Sequence, residues 1–242
     1  MNKHITIFKK DLEKYFLIEK KGELYELRAP FALKSINITL PFILNQEVAT
    51  LAGLMPDGSL IKDLRRVYFH QKKDLRKIDL FENTLVKLFS KEVNVLRKKD
   101  KGSGVEAYSN SKTLAWFMYY ILGIPKSDEE MRPPSWLFNS PDNVKISYLK
   151  QAFDMEGTVS KNLSEIRFGV KGPNFAQDIQ NLLSRLNIDS HLTYAPRVYQ
   201  TSPQYRVSIY KKENFAKFRD IGFEIPFLKE RFERALIKHG IL

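Results

Sequence analysis

Two acidic residues occupy matching places in this chain: Asp57 within "TLAGLMPDGSL" (50–60) and Glu156 within "YLKQAFDMEGTVS" (148–160). Each follows an apolar run with helical spacing and precedes a glycine, so each falls where a helix ends. A helix C-terminus carries roughly half a unit of negative charge and several unpaired carbonyls. A carboxylate is poorly placed there, and two side by side repel strongly at low effective dielectric. A divalent cation between them relieves that repulsion, with the backbone carbonyls of Pro56 and Met155 as further hard oxygen donors. Such an ion polarises a phosphodiester, generates hydroxide from bound water and stabilises a departing 3′-oxygen, which is the chemistry of nucleic-acid strand hydrolysis. A D-G or E-G pair is also an ordinary glycine stop after a helix. Two of them in register within a basic, repeated chain favour the metal site.

The bulk composition points the same way. Lys and Arg number 40 against 28 Asp and Glu, a net charge of +12 spread along the 242 residues rather than gathered in a tail. That balance favours a polyanionic partner, nucleic acid first and an anionic membrane second. The longest apolar run, "LAWFMYYILGI" (114–124), is too short to span a bilayer, which weakens the membrane reading. No leader-like segment opens the chain, so the expected location is intracellular: cytoplasm or nucleoid, or an organelle in a eukaryote. The absence of cysteine removes thiolate metal sites and cysteine nucleophiles, and the four histidines (His4, His70, His191, His239) lack ligand spacing. Any bound metal is therefore held mostly by oxygen, as Mg²⁺ is.

The elements that must position the two acids repeat with them. At a single offset of 99, Asp57–Gly58 falls on Glu156–Gly157, Phe69 on Phe168, Lys72 on Lys171 and Gly123 on Gly222. Each half predicts a helix (about 43–57 and 143–156), then two strands within 58–71 and 157–171, where alternate positions are apolar. An amphipathic helix follows ("DLRKIDLFENTLVKLF", "NFAQDIQNLLSRL"). Two more strands come next (93–99 and 105–109; about 190–199 and 205–210), and a helix closes each half ("SKTLAWFMYYIL", "KKENFAKFRDI"). Small residues on the motif helices, Ala49, Ala52, Gly53 and Ala152, allow the two to pack closely about a pseudo-twofold axis, so that their acidic ends meet. The division expected is an N-terminal extension (1–42), a first repeat (43–124), a linker packed down by Trp136 and Phe138 (125–142) and a second repeat (143–242).

"LAGLMPDG" and "AFDMEG", with "LGIP", "RPPSWLF" and "IGFEIP" at their usual relative places, resemble the single-chain LAGLIDADG homing endonucleases over about residues 43–240. The resemblance implies an α+β fold of two αββαββα units packed through their motif helices. Each unit would carry a saddle-shaped antiparallel sheet that lies along the DNA major groove. It further implies a monomer in which Asp57 and Glu156 bind Mg²⁺, with Mn²⁺ as a substitute, and cut both strands of a double-stranded DNA target across the minor groove. Gln71 matches a position that orients metal-bound water, while its repeat partner is Val170, so the two sites are not expected to be equivalent. Lys229, and Lys126 in the first half, resemble the basic residue near the scissile phosphate. Pro56 departs from the pattern; it removes a donor and disfavours α conformation at Met55, so the first helix is expected to kink or end early. Met155 stands where a small residue is usual.

Strand alternation alone nominates the DNA-facing side chains. If Val67, Phe69, Ile166, Phe168 and Val170 face the helices, then Arg66, Tyr68, His70, Arg167 and Lys171 face outward. Arg97, Lys99, Arg197, Tyr199 and Arg206 are similar candidates on the other strands, able to read base edges or hold phosphates. The rival reading is a non-cutting nucleic-acid binder, such as an intron RNA maturase on the same fold. An intein-borne nuclease is disfavoured, since the chain starts Met1-Asn2 and ends "HGIL".

Overall fold

The computed structural model describes residues 4–72, 74–90, 93–99, 104–127, 130–195 and 204–242. The chain opens with β1 (Ile5–Ile7), a single turn α1 (Lys9–Leu12), and then β2 (Leu17–Lys21), β3 (Leu24–Arg28), β4 (Ile36–Ile38) and β5 (Phe42–Leu44). β2, β3 and β4 form a three-stranded antiparallel sheet, and β1 pairs with β5.

Then comes the first of two similar units: α2 (Gln46–Leu54), β6 (Gly58–Leu60), β7 (Val67–Gln71), α3 (Arg76–Phe89), β8 (Leu96–Lys99), β9 (Val105–Ser109) and α4 (Lys112–Tyr120). The second runs α5 (Asp142–Glu156), β10 (Gly157–Val159), β11 (Ile166–Val170), α6 (Pro173–Arg185), β12 (His191–Ala195), β13 (Gln204–Ile209) and α7 (Lys212–Phe218). A further helix, α8 (Pro226–Lys238), ends the chain. Both units are αββαββα, and their four-stranded antiparallel sheets share one order, β6-β7-β9-β8 and β10-β11-β13-β12.

The repeat is visible at the level of register. Gly58 pairs with Phe69 and Leu60 with Val67; 99 positions on, Gly157 pairs with Phe168 and Val159 with Ile166. The intervening turns match as well, with Leu64 and Leu163 both at positive φ. The next pairing has slipped by one, since Gln71 pairs with Val105 while Val170 pairs with Tyr205.

The expected first motif helix differs at both ends. It starts only at Gln46, because residues 42–44 are drawn into a strand with β1, and the Asn45 side chain accepts from the Val48 N–H to cap it. It stops at Leu54 and continues as a 3-10 turn over Met55–Asp57, as the missing amide of Pro56 requires. Gly157 ends α5 as an extended C-cap. In both sheets the helix side is the core: Phe69 stacks on Phe81, while Phe168 lies between Phe153 and Phe175. The linker is pinned by Trp136, whose indole donates to the Leu122 carbonyl at 2.9 Å.

Candidate functional site

The two motif helices pack along each other's length, and Gly53 sets how closely. A Cβ built there would lie 2.4 Å from the Tyr148 carbonyl oxygen and 2.9 Å from Gln151 Cβ, so the backbones of α2 and α5 nearly touch. Their C-terminal ends are thereby brought together. One side chain touches both: the Gln71 amide nitrogen donates to Asp57 Oδ2 at 3.2 Å and lies 3.4 Å from Met155 Sδ. A cleft of about 170 Å³ opens beside this junction, lined by Pro56 from the first end and by Glu156, Lys171 and Gln204 from the second unit. Glu156 also borders an adjoining cleft of about 280 Å³ with Thr158, Arg167 and Arg206. Asp57 and Glu156 are both half-buried.

A buried charge network backs the second end. Lys77, on α3 of the first unit, reaches α5 and meets Asp154 at 2.6 Å; both side chains are sealed from solvent. The same ammonium contacts Glu224 at 2.8 Å and donates to Gln151 Oε1 at 2.7 Å. Asp154 also accepts from the Glu224 backbone N–H at 3.0 Å, which ties the approach to α8. Burial raises the Asp154 carboxyl above its ordinary range, while the Lys77 charge and the amides pull it back. Glu224 is also partly desolvated, but its hydrogen bond and attraction to Lys77 leave its carboxyl below the usual range.

Residues 143–221 match the model of a LAGLIDADG-like domain. That match falls on the second of the two similar units. The chain's fold is shared by the homing endonuclease I-DmoI. Against the crystal structure of I-DmoI in complex with DNA and Ca, the TM-score is 0.56 at 17% identity, covering 79% of this chain and 98% of that one. Two curated relatives come from Methanocaldococcus jannaschii. The first is a glutamine–fructose-6-phosphate aminotransferase, 31% identical over 171 residues, 69% of this chain and 15% of the relative. The second is a probable translation initiation factor IF-2, 25% identical over 161 residues, 64% of this chain and 14% of the relative. The chain thus spans only about a seventh of the length of these relatives.

The outward face of the two sheets carries part of the expected basic set. Arg66 lies over the Tyr108 ring at 4.8 Å, and Tyr68 is registered opposite Tyr108, so these mark the outward side of the first sheet, with His70 two positions on. In the second unit Arg206 is registered opposite Gly169, and Arg167, Arg206 and Lys171 all border the clefts beside Glu156. Arg167 is held there by an ion pair with Glu165.

Arg97 and Lys99 do not share that face. They are registered with Ala107 and Val105 on the helix side, and Arg97 pairs with Asp79 and Glu82 of α3. The outward positions of β8 are Leu96 and Lys98. Arg197 and Tyr199 lie outside the described residues.

Lys229 sits exposed in the first turn of α8, and Lys126 rests its ammonium over the Tyr119 ring at 4.2 Å. Neither lines the two clefts around Glu156. Two cleft residues escaped the sequence reading. Gln204 opens β13 and lacks any local signal, and Met131 belongs to the linker. Lys77 escaped too, because on a helix with acidic neighbours it reads as a solvated lysine.

Proposed function

We propose that this LAGLIDADG chain is a site-specific, divalent-metal-dependent double-strand DNA endonuclease of the intron-homing type. The observation that carries the reading is the Gln71 side chain, which joins Asp57 of one motif end to Met155 of the other, one residue before Glu156. That contact supports a shared site in which Asp57 and Glu156 act together. Among the described residues no group of three or more His, Cys, Asp or Glu is placed to hold a metal. The protein's share of a site is then two carboxylates and backbone carbonyls, an all-oxygen donor set that suits Mg²⁺ or Mn²⁺ completed by water and DNA phosphate. Such an ion, when bound, supplies charge neutralisation at the scissile phosphate and an acidified water.

The chain's own groups do the rest. Gln71 fixes the rotamer of Asp57, the Lys77–Asp154 pair holds the last turn of α5 so that Glu156 faces the cleft, and Arg167, Arg206 and Lys171 offer positive charge to the strand lying against it. The curated relatives support a nuclease module rather than either of their named activities. An aminotransferase and an initiation factor have no chemistry in common, yet the chain aligns with 171 residues of one and 161 of the other.

The test is incubation of a supercoiled plasmid carrying the uninterrupted insertion site with the protein and Mg²⁺. Linear product is expected, with none when Mg²⁺ is replaced by chelator. Tight binding with no linear product under any divalent ion would leave the RNA maturase or another non-cutting binder in its place. Affinity should fall steeply with salt, because many phosphates are neutralised.

A further inference from the structure

The N-terminal extension presents two apolar side chains to water. Phe31 and Leu33, on the loop between β3 and β4, are fully exposed, and Phe31 adopts φ of 58°, a conformation that bulky residues rarely take. The loop is not loosely attached. The buried Thr113 hydroxyl on α4 accepts from the Ala29 N–H at 3.2 Å and donates to the Lys34 carbonyl at 2.6 Å, and Lys112 donates to the Pro30 carbonyl at 2.8 Å. A held loop that displays Phe and Leu gains nothing for its own fold from doing so.

These two tips border an open cleft of about 640 Å³ lined also by the basic side chains Lys34, Arg65, Arg66 and Lys112. The one carboxylate there, Asp63, is engaged by Arg65 at 3.1 Å. Arg66 belongs to two surfaces at once, since it borders this cleft and also lies over Tyr108 on the outward face of the first sheet. In the second unit the equivalent turn is covered instead: the α8 end reaches it, with Lys238 donating to the Asn162 carbonyl at 2.6 Å.

We infer that the Phe31–Leu33 loop is a second DNA contact, which grips the duplex beyond the end of the first sheet. Its basic walls meet backbone phosphates, and the two apolar tips enter the groove against base edges or an opened base step. The inference rests on the DNA-binding reading above, and the continuity through Arg66 favours duplex DNA over an anionic lipid surface.

The test compares the full chain with its Phe31→Ala/Leu33→Ala variant by fluorescence anisotropy on a long random-sequence duplex, over a salt series. Both residues are fully exposed, so thermal unfolding should match the parent. The variant is expected to bind about ten-fold more weakly, a loss of the order seen for a base-stacking side chain, with the salt slope unchanged. Lys34→Gln/Lys112→Gln should instead flatten the slope by about two phosphates. Parental affinity in the Phe31→Ala/Leu33→Ala variant would overturn the second contact while leaving the endonuclease reading intact. No duplex binding by the parent chain would remove both. Binding to phosphatidylserine vesicles that disappears in the variant, with DNA affinity unaffected, would assign the loop to a membrane.

Discussion

The two motif ends meet at one junction, but they are finished in different ways. In the first, α2 gives up at Leu54, Pro56 imposes a 3-10 turn, and Asp57 accepts from the Gln71 amide. In the second, α5 stays helical to Glu156, and the anchoring residue is Asp154, buried against Lys77. At the repeat offset, Asp154 corresponds to Met55 and Gln71 to Val170, so neither unit has the other's device. Both tethers, Gln71 and Lys77, are donated by the first unit. The pseudo-twofold is a property of the backbone and its register, while the side chains that aim the acids are asymmetric.

The sharpest way to break this comparison is to neutralise each acid in turn. Asp57→Asn and Glu156→Gln should each reduce double-strand cleavage by about a thousand-fold or more, with duplex affinity nearly unchanged. Gel analysis of a plasmid substrate distinguishes the cases. If the junction is shared, both variants lose linear product alike; if each acid serves its own strand, each variant accumulates nicked circles. Undiminished cutting by either variant would remove that acid from the site.

The second-unit tether should show most plainly in stability. Lys77→Met leaves the Asp154 carboxylate buried without its cation, which costs about 3–5 kcal/mol, measured as a lowered urea midpoint. Lys77→Met/Asp154→Met imports the residue that stands at Met55 in the first copy and removes the unpaired charge. It should recover part of the loss. Full recovery would mean that the amides of Glu224 and Ile225, which Asp154 also holds, contribute little.

The helix crossing is asymmetric as well. Gly53→Ala places a methyl where only 2.4 Å separates it from the Tyr148 carbonyl, and the overpacking should cost about 1–3 kcal/mol. The second unit already carries a Cβ at the matching position, Ala152. Ala152→Gly should cost about 1 kcal/mol through helix propensity alone. Equal effects in thermal unfolding would mean that the two helices yield at the crossing rather than touch there.

Much of this architecture is written in the chain because the repeat preserves what backbone geometry needs: Gly58 and Gly157 after the acids, and alternation at Val67–Gln71 and Ile166–Val170. The proline's effect was legible too, since a missing amide is a local property. What sequence could not give were contacts between distant segments. Lys77 finds Asp154 only once α3 is laid across α5, and Gln204 reaches the cleft only through the β11–β13 register. Arg97 is a different kind of miss. Counting by twos from Val93, which is buried, places residues 95, 97 and 99 on the helix side, so the parity was available and the basic charge was given too much weight.

The finest test of the asymmetry exchanges the first unit's tether for the second unit's residue. Gln71→Val makes β7 resemble β11, whose Val170 is buried, so the fold should tolerate it with little change in unfolding temperature. Asp57 then loses the Gln71 amide donor while keeping its place on the 3-10 turn, and a carboxylate with one contact fewer spends less time aimed at the junction. A misaimed group of this kind should slow cutting by about ten-fold rather than abolish it. The defect should fall on one strand, with nicked circles building up before linear product appears, because Glu156 is still held through Asp154 and Lys77. If both strands slow equally, Gln71 acts on the junction as a whole through its Met155 contact, and the two ends work as one site.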